Sequence, residues 1–209
     1  KLKANELTVK SLAGDMGNIA GADEAVRRTD IEALKTWFYT ASAIGSEAIR
    51  INTGHADDEG AMDRVIDGYR ELVAVGEQAG VKLLIENHGG VSSTSDNLQK
   101  ILDGMDMPGF ATCPDTGNFP LGDWEAGMKG LAPRAFSCHV KVFNYSDDGE
   151  QVRKDREGNT HTYNLQTSLR ILKDADYTGP LCIESGASDS TDASIRDTLV
   201  YMKEQMAKV

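Results

Sequence analysis

The sequence predicts a single α/β domain of the (β/α) barrel class, and two observations point there. Short apolar strands alternate with amphipathic helices along all 209 residues, the pattern of parallel strands joined by right-handed crossovers. Acidic residues and one histidine end several different strands, which is where the catalytic groups of a barrel gather. A doubly wound open sheet shares the alternation but would normally carry a glycine-rich phosphate loop after its first strand. Neither GxGxxG nor GxxxxGK(S/T) occurs in the chain.

Taken in order, the first strand is expected over Leu7 to Ala13. A helix near residues 24–44 follows, with Ile31, Leu34, Phe38, Ala41 and Ile44 at helical spacing before Gly45 stops it. Strand 47–52 leads to a helix near 60–79, carrying Met62, Val65, Ile66, Tyr69, Leu72 and Val73 and ending near Gly80. Strand 81–87, a helix near 95–104, strand 110–115 and a helix near 123–130 continue the alternation to strand 135–141. A helix near 163–175 with Leu165, Leu169 and Leu172, strand 180–185 and a last helix near 192–206 complete it. No low-complexity segment or linker interrupts the chain, whose length suits one core.

Lysines and arginines number 22 against 33 aspartates and glutamates, a formal net charge of −11. That sign is wrong for a protein that follows a phosphate backbone, so nucleic acid is not the expected partner. A small carbohydrate is compatible, with Arg153, Lys154 and Arg156 either above the acidic barrel or simply in a solvated loop. No apolar run approaches the roughly 20 residues of a membrane span, so a soluble protein without a membrane partner is expected. Cys113, Cys138 and Cys182 are odd in number and lack CxxC spacing. Buried free thiols and a reducing, cytoplasmic compartment follow as expectations. Lys1 to Lys10 contains neither an apolar signal core nor a cleavage site.

Because side chains alternate along a strand, a group that points into the barrel fixes the direction of its neighbours. Glu86 inward brings Leu84 and His88 with it, Asp115 brings Cys113, His139 brings Ser137 and Lys141, and Glu184 brings Cys182. Cys113 and Cys182 then lie about 6–7 Å below the ligand layer, two residues of strand rise away, as core residues. A single acid near a strand end is usually a helix cap or an ion-pair partner, a reading that does not account for four such residues at four strand ends. Glu86, Asp115, His139 and Glu184 make an oxygen-rich donor set for one divalent ion, Mn²⁺ foremost, with Mg²⁺, Co²⁺ or Zn²⁺ also accommodated.

These residues and their surroundings resemble the xylose isomerase-like barrel proteins, the sugar phosphate isomerase/epimerase superfamily. The resemblance spans essentially the whole chain: Arg50 in Ile-Arg-Ile-Asn, Glu86 in Leu-Ile-Glu-Asn-His, Asp115 and Asn118 in Asp-Thr-Gly-Asn, His139 and Lys141 in His-Val-Lys, and the closing Tyr-Thr-Gly-Pro-Leu-Cys-Ile-Glu that ends at Glu184. It implies a (β/α)8 TIM barrel whose metal ligands fall on Glu86, Asp115, His139 and Glu184. It also implies chemistry on a hydroxy-carbonyl compound, with Glu86 and Glu184 as the catalytic acid and base and a Lewis-acid ion stabilising an enediolate.

Arg50, His88, Asn118, Lys141 and Trp124 are then candidate substrate contacts. Lys141 could instead be an ion-pair partner, Arg50 could neutralise barrel acids, and Trp124 could be helix packing. Phe119 and Trp124 occupy a loop over the mouth, where aromatics stack on a sugar face. The similar ketose epimerases carry histidine where this chain has Asn118 and arginine where it has Tyr145, which leaves isomerase, epimerase and dehydratase or lyase chemistries open.

In that family the four ligands come from the last four of eight strands. The resemblance therefore makes residues 1–209 a partial barrel running from strand three to strand eight, without the first two β/α units. Leu7 to Ala13 and Leu181 to Ser185 become edge strands, expected to be covered by further residues or by another chain, such as a second copy in a homo-oligomer. Two other readings compete with the enzyme. One is a non-catalytic sugar-binding subunit. The other is an endonuclease IV-like phosphodiesterase with a histidine-rich zinc cluster, which the acidic balance and only four histidines (His55, His88, His139, His161) disfavour.

Overall fold

Six short parallel strands succeed one another in the computed structural model, which describes residues 3–120, 122–154, 158–185 and 192–209. The order is β1 (Ser11–Gly14), α1 (Glu24–Ile44), β2 (Ala48–Ile51), α2 (Ala61–Ala79), β3 (Lys82–Ile85), α3 (Ser95–Gly104), β4 (Phe110–Thr112), α4 (Trp124–Leu131) and β5 (Cys138–Val142). An antiparallel hairpin, β6 (Glu150–Lys154) and β7 (Thr160–Asn164), precedes α5 (Leu165–Asp174), β8 (Leu181–Ser185) and α6 (Asp192–Met206). Strands β1 to β4 pair in parallel in chain order. Parallel bridges Thr112–Ala135 and Asp115–His139 carry the succession to β5, which pairs with β8 from Cys138–Leu181 to Val142–Ser185. Among the described residues β1 and β8 do not pair with each other.

The alternation of side chains sorts these strands into two faces. Ile49, Ile51, Leu83, Ile85, Cys138, Val140 and Val142 point outward and share one buried cluster with Ile31, Leu34 and Phe38 of α1 and Tyr69, Leu72 and Val73 of α2. Removing each such side chain from water is worth about 1.5–3 kcal/mol, so this strand–helix layer dominates the stability. The inward face is smaller: Ala48, Leu84 and Cys113 form a separate cluster with Ala111 and Phe136 against it.

Local chemistry sets the helix ends. Asp23 caps α1 by accepting from the Val26 N–H, Thr94 caps α3 through Asn97 N–H, and Asn164 caps α5 through Thr167 N–H, each relieving one orphan donor of a first turn. Gly45 and Gly80, at φ 77° and 69°, close α1 and α2 in the left-handed region, where a side chain is strained and glycine is not. Each glycine therefore turns the chain directly into the next strand.

Two expectations need correction. The first strand begins at Ser11 rather than Leu7, because only Ser11 to Gly14 find partners on β2 and Leu7 is 59% exposed with no face to pack on. The hairpin at 150–164 was not foreseen. The third basic residue of the expected loop, Arg156, lies outside the described residues. Beside β8 an apolar groove of about 810 Å³ opens between that strand, α5 and α6, lined by Leu169, Leu172, Leu181, Ile183, Leu199 and Met202. Among the described residues no helix is long and apolar enough to cross a membrane.

Candidate metal centre and active site

Glu86 and Asp115, just past β3 and β4, His139 within β5 and Glu184 near the end of β8 come together. One donor atom from each lies within 4.8 Å of the others. His139 Nδ1 is 2.9 Å from Glu86 Oε1 and 3.3 Å from Glu184 Oε2. Opposite ligands of a small divalent ion stand about 4.0–4.4 Å apart at bond lengths of about 2.0–2.2 Å, so donor atoms gathered within 4.8 Å of one another have the spacing of such a shell. Three carboxylates and an imidazole are also the right chemistry for one. The donor set fits the group. It is the one cluster of three or more potential ligands among the described residues.

Each donor is held differently. Glu86 is fully buried, and Arg50 from β2 places NH1 2.6 Å from its Oε2. Arg50 also reaches Asp15 Oδ1 at 2.8 Å and donates to Asn52 Oδ1 at 2.9 Å. Asn52 in turn donates to Asp15 Oδ1 and meets His88 Nδ1 at 3.2 Å. Asp115 is fixed by its backbone, since Asn87 accepts from its N–H at 2.8 Å and donates to its C=O at 2.9 Å. Asp115 Oδ1 accepts from Gly117 N–H at 2.8 Å, and Lys141 Nζ sits 2.6 Å from Oδ2. Glu184 is the looser member: its side chain is 45% exposed and meets Lys141 Nζ at 2.9 Å.

Charge crowding shifts these groups in opposite directions. Burial, together with Glu86 nearby, pushes Asp115 up to about 7 although Lys141 opposes the shift. Burial works against a charged His139, yet hydrogen bonds with Cys113, Glu184 and Glu86 outweigh it and push the imidazole up to about 12. Hydrogen bonds from His139 and Lys141 hold Glu184 well below the usual carboxylate range against the effect of burial. Burial likewise opposes charging Lys141, and Asp115 and Glu184 more than offset it. The common cause is negative charge gathered in little space, a demand that a divalent ion among the same oxygens also meets.

The remaining sequence candidates fall in distinct places. Arg50 and Lys141 line the cluster as ion-pair partners, and His88 stands beside it on Asn52. Asn118 follows the Asp115 turn, and its Nδ2 is buried without a hydrogen-bond partner. Trp124 packs edge-on against Tyr163, 6.4 Å between centroids, and rests on the main core. Phe119, expected in a loop at the mouth, is only 3% exposed, because glycine at position 127 leaves room for its ring beside α4. Cys113 and Cys138 are buried and Cys182 is half-buried, all as free thiols.

Several supporting residues escaped the sequence reading. Asp15 lies two residues past Ala13, which pairs with Arg50, so the alternation rule applied to β1 would have placed it inward. Asn52 is found the same way from Arg50. Asn87, facing away from the cluster, and Tyr163, from the unforeseen hairpin, carry no such signal. The Tyr163 hydroxyl donates to Lys141 C=O, while buried Gln151 accepts from Phe143 N–H and donates to Asn144 C=O. The hairpin thus braces the end of β5 next to Lys141.

Comparison with known proteins agrees with this architecture. A family model described as xylose isomerase-like TIM barrel matches residues 1–205. The chain is similar to a probable endonuclease 4 of Mycobacterium tuberculosis, 23% identical over 217 residues that cover 98% of this chain and 81% of the relative. In structure it resembles a D-tagatose 3-epimerase-like protein, with TM-score 0.77, 19% identity and coverage of 99% and 81% of the two chains. It also resembles a Mycobacterium smegmatis xylose isomerase-like TIM barrel protein in complex with magnesium, with TM-score 0.70, 17% identity and coverage of 99% and 76%. At these identities the structural likeness establishes the fold.

Proposed function

The chain belongs to the xylose isomerase-like TIM barrel family, and on that premise we propose that it is a divalent-metal-dependent isomerase or epimerase of a sugar or related hydroxy-carbonyl compound. The observation that carries this reading is the convergence of Glu86, Asp115, His139 and Glu184 from four strands, β3, β4, β5 and β8. Mn²⁺ suits that donor set best, with Mg²⁺, Co²⁺ and Zn²⁺ as alternatives. When bound, the ion supplies Lewis-acid polarisation of adjacent carbonyl and hydroxyl oxygens and so acidifies the intervening C–H.

The protein's own groups do the rest. Glu86 and Glu184 exchange the proton with that carbon, and their surroundings differ in a way that suits two roles. Glu86 is buried beside Arg50, whereas the Glu184 side chain is 45% exposed. Such positioned acid–base groups contribute about 10²–10⁴-fold to rate. Arg50, His88, Asn118, Lys141 and Trp124 form the surroundings of the substrate, with Arg50 and Lys141 offering positive charge to its oxygens. Free thiols at Cys113, Cys138 and Cys182 support a reducing, cytoplasmic setting.

The test is a metal-reconstituted screen against free and phosphorylated ketoses, inososes and 3-keto sugars, run in D₂O so that proton transfer appears as deuterium in product. Turnover with solvent deuterium incorporation supports the reading; a metal-loaded protein inert on the whole panel overturns it. The likeness to endonuclease 4 favours a second reading, phosphodiester cleavage at abasic sites. The net charge of −11 weighs against it. Nicking of an abasic-site duplex by the metal-loaded protein would establish it instead.

A further inference from the structure

Lys141, a candidate contact for the substrate, is already engaged by two of the candidate ligands. Asp115 has one carboxylate oxygen committed to the Gly117 N–H, so Oδ2 is the atom left for a cation, and the Lys141 ammonium already sits 2.6 Å from it. The same ammonium lies 2.9 Å from Glu184 Oε2, the oxygen that also faces His139. Two of the three carboxylates are thereby engaged by a side chain that is itself only 14% exposed. Glu86 differs, because its cationic partner is Arg50, and Arg50 is anchored elsewhere by Asp15 and Asn52. Among the described residues the Lys141 ammonium is held by Asp115 and Glu184 alone, and a lysine stem is flexible.

We propose that Lys141 is an internal competitor for the metal centre: its ammonium holds Asp115 and Glu184 together, and it leaves those oxygens when a divalent cation takes them. This rests on the reading of Glu86, Asp115, His139 and Glu184 as ligands. A doubly charged ion between the same oxygens repels an ammonium beside them, and the stem of Lys141, packed along Gly117, swings its head toward the open end of the barrel. The released ammonium becomes available to a substrate oxygen only after the ion is in place. Metal loading and readiness for an anionic or hydroxylated substrate are thereby coupled through one side chain.

The experiment has two arms on the intact chain. Mn²⁺ affinity is measured by calorimetry for wild type and for Lys141→Met, with folding checked by circular dichroism. Separately, wild-type protein is treated with acetic anhydride with and without Mn²⁺, and acetylation of Lys141 is read by peptide mass spectrometry against Lys129, whose side chain is 62% exposed. Coupling free energies of this kind typically correspond to about 5–150-fold, so the Met variant is expected to bind Mn²⁺ about tenfold more tightly or better, and Lys141 acetylation is expected to rise severalfold on metal addition.

Equal or weaker affinity in the variant overturns the proposal. Tighter binding with unchanged acetylation also overturns it, since that outcome is the through-space effect of removing a charge that never moved. If neither protein binds Mn²⁺, the metal-centre reading falls and this proposal with it. Should Lys141→Met fail to fold, the acetylation arm on wild type decides alone.

Discussion

Replacing Arg50 with methionine isolates the charge pair at the floor of the centre. The two side chains are 5% and 1% exposed, with NH1 of Arg50 2.6 Å from Glu86 Oε2. Removing one partner of a buried pair costs about 3–5 kcal/mol, because the other charge stays buried without compensation. The contact with Asp15, whose side chain is 57% exposed, adds less than about 1 kcal/mol. His139 still meets Glu86 Oε1 at 2.9 Å, so the lower end of the range, about 3 kcal/mol, is the expected loss. A domain of this size shifts its melting temperature by about 2–4 °C per kcal/mol, which gives about 6–12 °C. Thermal unfolding followed by circular dichroism in EDTA measures it. Adding Glu86→Leu to the variant should return much of the loss, because a buried pair replaced whole by apolar groups is close to neutral. A single variant that melts within about 2 °C of wild type would show that Glu86 does not depend on Arg50.

Glu184→Gln is expected to abolish turnover while leaving the melting temperature within a few degrees, since shape is kept and the ionisable group is lost; retention of most of the wild-type rate on an identified substrate would remove Glu184 from the acid–base role. Gly127→Ala pits about 1 kcal/mol of helix propensity gained against a Cβ placed 2.1 Å from the Phe119 ring. The clash should win, with a net loss of about 1–2 kcal/mol in urea unfolding, and a stabilised variant would contradict the packing described. Glu71 is held down to about 2 by a hydrogen bond from Arg28, against burial and with help from Lys35. A carboxyl whose folded pKa lies below its ordinary 4.5 stabilises the protein above that pH and loses the contribution as pH falls toward 2. Glu71→Gln should therefore lower the stability at pH 7, by less than about 1 kcal/mol given its exposure. The difference should shrink as pH falls from 4.5 toward about 2, and a gap that stays constant over that interval would contradict the ion-pair assignment.

What the sequence made legible, and what it did not, follows the physics of each element. Helices α1, α2 and α5 bury long apolar stripes, and glycine in the left-handed region stops the first two, so periodicity and punctuation both spoke. The parity of the strands was equally plain, because a buried acid two residues beyond a buried apolar residue, Leu84 to Glu86 or Cys113 to Asp115, fixes which way both point. The hairpin β6–β7 was silent for the converse reason. Its inward anchors are Gln151 and Tyr163, while its central apolar residue Val152 is 40% exposed. A strand pair held by a buried amide and a tyrosine hydroxyl shows no alternation of apolar and polar residues.

The candidate ligands were easier to read from the sequence than the residues that support them. An acid or histidine carried on a strand and pointing inward shows itself through the alternation of that one strand. A support such as Asn87 acts through backbone groups of another strand, holding Asp115 by its N–H and C=O, and no spacing rule links residues 28 apart. Lys141 falls between the two classes. Parity placed it inward beside His139, and the open choice between substrate contact and ion pair turned on atoms of the neighbouring segments on either side, Asp115 Oδ2 and Glu184 Oε2. The competition proposed for Lys141 joins those alternatives in sequence, as ion-pair partner before the cation enters and substrate contact afterwards. A reading from one-dimensional spacing could name both roles but had no means of ordering them.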